Sequence, residues 1–242
     1  MKVYGRVALV MVLAAVPLFG QSDPVKKNGR PTDTATVKTA AAADQPAANS
    51  RSAYTYEFTR PDFYVPYILI KHDENGKGTI SFKKKGVDEA QTDPITLSPV
   101  TLAKINDALA ALNFLDSTES YQYEKDYSHL GNVTFTLKRD GKERSAKYNW
   151  TENKDAKTIA DEYRRIGNQY VWQFDMAIAR ENQPLEAPQL MDALDSYLRR
   201  NEISDPKQML PMLKELSNDE RIPLIARNHA GKLAGQIEKA KN

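Results

Sequence analysis

A chain of 242 residues with no cysteine, and with 34 Lys and Arg against 32 Asp and Glu, is long enough for one good-sized domain or two small ones. The missing thiols exclude disulfides, thiolate metal sites and a lipid-modified cysteine anchor. Setting aside Lys2 and Arg6, the charges of the first twenty residues, leaves 32 basic and 32 acidic residues; a neutral chain without a basic face argues against a nucleic-acid partner.

The N-terminus reads as a secretory signal. Lys2 and Arg6 form a basic start, residues 7–19 are an almost unbroken apolar run, and Gly20 is a small residue where a signal peptidase could cut, although Leu18 matches the small-residue rule imperfectly. The run falls short of the roughly 20 residues that span a bilayer. Cleavage near Gly20 and export to the periplasm or exterior of a bacterial cell are expected, with no stable membrane span afterwards. Residues 21–53 are rich in Ala, Thr, Asp, Lys, Asn and Pro, too poor in large apolar side chains for a core, and read as a disordered linker.

Strands come next. Tyr54, Tyr56 and Phe58 alternate with Thr55, Glu57 and Thr59, and Arg60-Pro61-Asp62 closes the segment. A second strand is expected at 65–71 and a third at 79–83, joined by a turn over 73–78 that contains Asn75-Gly76. Lys83-Lys84-Lys85 reads as a solvated strand end. Asp73, Asn75, Gly78 and Ile80 fall on the spacing of an EF-hand calcium loop, but Lys77 occupies a ligand position and Lys84 stands where the bidentate Glu belongs. An ordinary hairpin turn is the better reading.

Ser98 then caps a helix with Pro99 in its first turn, Leu102, Ile105, Leu109 and Leu112 on one stripe, and Asn113 as its stop. After a tyrosine-rich loop, residues 132–137 and 142–150 flank Asp140-Gly141, a strong hairpin signal. With those two as the turn, Val133 faces Tyr148, Phe135 faces Ala146 and Leu137 faces Arg144, giving one mostly apolar face and one polar. The helix stripe and that apolar face are expected to cover each other.

The loop over 121–130, YQYEKDYSHL, holds Glu124, Asp126 and His129 within six residues, the best candidates for acid–base work or metal binding. Its Tyr121, Tyr123 and Tyr127 suit a contact surface for a protein partner equally well. Beyond it, Asn153 can cap a long helix over 154–182 whose middle, around Trp172, is apolar on most sides. Core packing is the ordinary reading there, and a partner-binding stripe at Trp172 the alternative. Pro184 ends that helix and Pro188 starts a shorter one; a third opens at Asp205-Pro206 and a fourth runs over 221–239.

Leu210-Pro211-Met212-Leu213 with Leu216 and Asp219, then Ala226-Arg227, Ala230 and Leu233, resembles a HEAT-type helical hairpin over 206–237. The resemblance implies two antiparallel helices and a protein-contact surface, and with one copy no solenoid.

The 11 glycines are scattered and form no phosphate-cradling loop, His72, His129 and His229 have no zinc spacing, and no serine sits in a Gly-x-Ser-x-Gly elbow; no cofactor is expected. The fold expected is α+β: an antiparallel sheet in β-β-β-α-β-β order with one packed helix, then a long helix and a small C-terminal helical unit. An α+β domain over 54–183 and a helical unit over 184–242 have no flexible linker between them and can form one domain. The function expected is an exported, non-enzymatic interaction or structural module. Its rivals are a hydrolase or metal-dependent enzyme using Glu124, Asp126 and His129, and a binder of a small apolar ligand between the sheet and residues 170–176.

Overall fold

The structure, a computed structural model, describes residues 52–240. The signal segment expected at 1–20 and nearly all of the linker lie outside the described residues; the linker's last residue, Ala53, already pairs in the first strand.

Six strands, β1 (Ala53–Thr59), β2 (Tyr67–Asp73), β3 (Lys77–Lys83), β4 (Gln91–Thr96), β5 (Asn132–Arg139) and β6 (Lys142–Tyr148), make one antiparallel sheet in the order β4-β3-β2-β1-β5-β6. Alternation sorts the side chains. Tyr54, Tyr56 and Phe58 share a face with Ile68, Ile70 and His72, with Ile80 and Phe82, and with Val133, Phe135 and Leu137, while mostly polar residues take the other. β5 and β6 pair in the expected register. Asp140 and Gly141 both have positive φ, 52° and 76°, as a type I′ turn requires.

The fold is α+β with one strand more than the sequence pattern implies. β4 precedes α1 (Pro99–Ala111), so the order is β-β-β-β-α-β-β. Gln91-Thr92-Asp93-Pro94 has little β propensity. Pro94 is tolerated because β4 is an edge strand, opposite Thr79 of β3.

The Ser98 side chain accepts from the Thr101 N–H and starts α1; Asn113, at φ 44°, turns the chain away after it. Asn153 caps α2 (Lys154–Asn182) by accepting from the Asp155 and Ala156 N–H groups. Both helices lie on the apolar face of the sheet, where Ile105 and Leu109 of α1 and Ile159, Tyr163 and Ile166 of α2 share a core with Tyr54, Ile70 and Phe135. α2 crosses the strands. The Tyr148 hydroxyl of β6 donates to Ala156 O at 2.6 Å, Tyr56 of β1 stacks on Tyr163 at 4.8 Å, and Phe82 of β3 meets Phe174 edge-on at 5.2 Å. Lys84 is not simply solvated: it pairs with Asp175 of α2 and lies 5.2 Å from the centre of the Phe174 ring. The calcium-like turn satisfies itself, with Asp73 Oδ1 accepting from Asn75 N at 2.9 Å and Lys77 N at 3.0 Å.

The second half of α2 faces a second core. α3 (Ala187–Arg199), α4 (Leu210–Ser217) and α5 (Leu224–Lys239) gather Met191, Leu194, Leu213, Ala230 and Leu233 around Trp172 and Met176. α4 and α5 are antiparallel: Lys214 Nζ lies 2.6 Å from Glu238 Oε1, and Gly231 sits beside Ser217. The helix expected at Asp205-Pro206 begins as a 3-10 turn, Pro206–Met209, before α4. The two cores are stitched together by Thr101 Oγ1 and Ser204 Oγ at 2.9 Å and by Gln208 Nε2 donating to Thr96 O at 3.1 Å, and all described residues belong to one compact unit.

A histidine is buried in the first core. His72 Nδ1–H donates to Asp73 O at 2.7 Å, Nε2 accepts from the Tyr163 hydroxyl at 2.7 Å, and the ring stacks on Tyr54 at 4.5 Å. Those bonds occupy both nitrogens of a neutral ring, and burial holds its pKa below the usual histidine value. An unfolded chain takes up this proton at about pH 6.5. The stabilisation is therefore complete above that pH and is lost as pH falls toward the lower folded-state pKa. The urea midpoint is expected to drop as pH falls below about 6.5, and His72→Gln to flatten that slope.

Candidate functional site

The segment between α1 and β5 contains little regular structure, yet it is tied down at almost every step. Phe114 packs edge-on against Phe135 at 5.2 Å, which commits the start of the loop to the core. Arg144, a charged residue on the mostly apolar face of β6, then clamps the next stretch of the loop. Its Nη1 donates to Phe114 O at 2.6 Å and to the Tyr121 hydroxyl at 3.0 Å, and its Nη2 to Glu119 O at 2.6 Å. The guanidinium lies 4.7 and 5.1 Å from the centres of the Phe114 and Tyr121 rings. Arg144→Ala is expected to cost about 2 kcal/mol in urea unfolding; Arg144→Lys should recover less than half of that, because a lysine cannot fork to two carbonyls.

Asn149, just past the end of β6, makes the second clamp. Gln122 Nε2 donates to Asn149 Oδ1 at 2.9 Å while Asn149 N donates back to Gln122 Oε1 at 2.8 Å. Asn149 Oδ1 also accepts from Tyr127 N at 3.1 Å, and Nδ2 donates to Asp126 Oδ1 at 2.6 Å. The Tyr123 N–H donates to Trp150 O at 2.9 Å. A 3-10 turn, Ser128–Leu130, comes next, with Asp126 Oδ1 accepting from Ser128 N. Gly131 then leads into β5 at φ 97°, hard against the Phe58 ring, where a side chain would find neither room nor an allowed conformation.

This scaffold presents an aromatic patch. Tyr127 lies at its centre, 6.2 Å from Tyr123, 5.8 Å from Trp150 and 5.9 Å from His129 between ring centres. Tyr123 and Tyr127 are half-buried and Trp150 is 42% exposed. Two open clefts meet at Tyr123. One, of about 340 Å³, is walled by Tyr123, Tyr127, His129, Leu130, Trp150 and Glu152. The other, of about 370 Å³, has the polar side chains Gln122, Glu124, Asp126, Asn132 and Lys147 among its walls.

The three residues expected to do chemistry border neighbouring clefts that share Tyr123. Glu124 and Asp126 border the polar cleft and His129 the aromatic one. Asp126 is engaged in fixing the loop, and the His129 ring stands edge-on to Tyr127. Among the described residues, no three His, Asp or Glu side chains are grouped so as to hold a metal ion. Of the four aromatic residues expected at a contact surface, Tyr123 and Tyr127 face the clefts. Tyr121 and Trp172 do not: this corrects the expectation for Tyr121, whereas Trp172 takes the core place that is the ordinary reading of its helix. Tyr121 is 4% exposed beneath Arg144, and Trp172, 3% exposed, donates its indole N–H to Leu190 O at 2.7 Å within the helical core.

Sequence reasoning passed over Arg144, Asn149 and Trp150. The visible signal was Arg144 itself, a cation opposite Leu137 in a mostly apolar register. Between the sheet and the 170–176 segment lies a groove of about 170 Å³ bordered by Ile68, Val171 and Trp172, smaller than the roughly 300 Å³ at which ligand pockets begin. A larger cavity, about 680 Å³, opens elsewhere among Val100, Leu198, Pro206 and Ile237. No family model matches the sequence, and comparison with curated proteins gives no significant match.

Proposed function

We propose that the protein is an exported, non-enzymatic recognition module whose binding face is the clamped loop carrying Tyr123 and Tyr127, with Trp150 beside it. The observation that carries this reading is the combination of exposure and fixity: side chains with large apolar bodies and polar tips border open clefts, on backbone held by Arg144 and Asn149. Asp126 Oδ1 accepts from Ser128 N and Asn149 Nδ2, which supports a part in fixing the loop for that carboxylate. The export part rests on the basic and apolar N-terminal pattern of residues 1–20.

A second reading, binding of a small apolar ligand, draws on the 680 Å³ cavity, whose size lies within the ligand-pocket range. A rise in melting temperature on adding lipid, abolished by Val100→Trp, would select it.

The recognition reading is tested in the native host by fractionation, by N-terminal sequencing and by a photo-crosslinking amino acid placed at Tyr123 or, as control, at Thr79 on the polar face of the sheet. The expected result is a mature chain outside the cytoplasmic membrane, starting close to residue 21, with adducts at 123 and none at 79. A cytoplasmic chain, or equal labelling at both positions, would sink it.

A further inference from the structure

The geometry points to the two clefts beside Tyr123 as adjoining subsites for a neutral linear oligosaccharide; this rests on the recognition reading above. A pyranose ring has two chemically different surfaces: C–H bonds that pack on an aromatic face, and hydroxyls at the rim that both donate and accept hydrogen bonds. The aromatic cleft complements the first through Tyr123, Tyr127 and Trp150. The polar cleft complements the second. Its Glu124 and Asp126 carboxylates are acceptors, the Asn132 amide is both donor and acceptor, and the Lys147 ammonium is a donor. Tyr123 borders both clefts, so a chain of linked rings passes from one to the other across its side chain.

Charge and polarity narrow the ligand further. Glu124, Asp126 and Glu152 stand against Lys147 across the two clefts, a balance that repels phosphates, sulfates and uronates. A wholly apolar ligand would strip water from those carboxylates and return no hydrogen bonds. A protein interface keeps its charged groups away from its core, whereas here Glu124, Asp126 and Glu152 are among the walls of the two clefts that Tyr123 shares. The backbone bonds at Tyr123 and Tyr127 fix the platform before any ligand arrives, and that limits the ordering cost of binding a hydrophilic molecule.

Titration of the full chain with cellotetraose, maltotetraose and N-acetylchitotetraose, followed by calorimetry and tryptophan fluorescence, tests the assignment. Trp150 borders the aromatic cleft, and the chain's other tryptophan, Trp172, is buried in the helical core. The expected result is a saturable fluorescence change with at least one of these sugars, and a Kd that moves less than about twofold between roughly 50 and 500 mM salt. Tyr123→Ala should weaken binding by about tenfold, and Glu124→Ala by about threefold through lost hydrogen bonds to the sugar rim. Both should keep the melting temperature within about 2 °C of the wild type. No response to any of the three at about 10 mM, binding indifferent to both substitutions, or a salt-sensitive response to tetramethylammonium instead overturns the saccharide assignment. If adducts at position 123 persist while the sugars fail, the recognition reading stands and this inference alone falls; if those adducts are missing too, both fall.

Discussion

Tyr163→Ala is expected to destabilise the protein by about 4 kcal/mol, a large share of the 5–15 kcal/mol typical of a folded domain. Tyr163 is fully buried where α2 crosses the middle of the sheet. Its ring stacks on Tyr56 and lies 5.6 Å from Phe135, and its hydroxyl donates to His72 Nε2. Truncation removes the contacts of a whole ring and leaves a cavity between helix and sheet, and it also strands a buried imidazole nitrogen without its donor. Tyr163→Phe separates these effects. It keeps the ring and should cost about 1–2 kcal/mol, the penalty for a buried acceptor left unpaired. Urea unfolding of both variants measures the difference, and equal losses would mean that the ring packing contributes little.

Gly78→Ala is expected to cost about 3 kcal/mol. A Cβ at this position would lie 1.8 Å from Lys71 O and 2.6 Å from His72 Cα, both backbone atoms of β2. Neither can swing aside as a side-chain tip would, so β3 must move off β2 next to the buried Ile70, Ile80 and His72. The same substitution at Gly235 gives the contrast. No neighbouring atom lies within 4 Å of a Cβ there, and the position is inside α5, so Gly235→Ala should stabilise by about 0.5–1 kcal/mol through helix propensity. Thermal unfolding of the pair is expected to shift in opposite directions.

The parts of the fold that could be read from the sequence are those whose signals are local. Asp140-Gly141 fixes both the turn and the register of β5 and β6, so each cross-strand pair is set by one dipeptide. Asn153 marks the start of α2, and the apolar period carries through to Asn182. β4 escapes such reading because an edge strand packed on one side needs little more than Ile95 inside, and Pro94 points away from strand structure. The places of the two tryptophans depend on tertiary packing for a similar reason. Trp172 lies on a helix face apolar on most sides, and whether a neighbour or solvent covers that face depends on where α3 docks. Trp150 looks like the end of a strand, but β6 stops at Tyr148.

The loop was legible in its composition and not in its geometry. Tyrosines, carboxylates and a histidine within ten residues mark it as unusual. Its order comes from Arg144 and Asn149, more than twenty residues away along the chain and close in space because the hairpin folds back. No periodicity records a side chain that bonds a distant backbone carbonyl. The place of Asp126 is likewise set by these clamps, since its Oδ1 accepts from Asn149 Nδ2.

Amide hydrogen exchange at Tyr123 and Tyr127 is the most direct measurement of whether the loop is a preformed binding face. The Tyr123 N–H is bonded to Trp150 O and the Tyr127 N–H to Asn149 Oδ1. Both should exchange about a hundredfold more slowly than an unstructured chain, and Asn149→Ala should release Tyr127 while the amides of β5 stay protected. Exchange at both positions as fast as in an unstructured chain, with the sheet intact, would contradict the account.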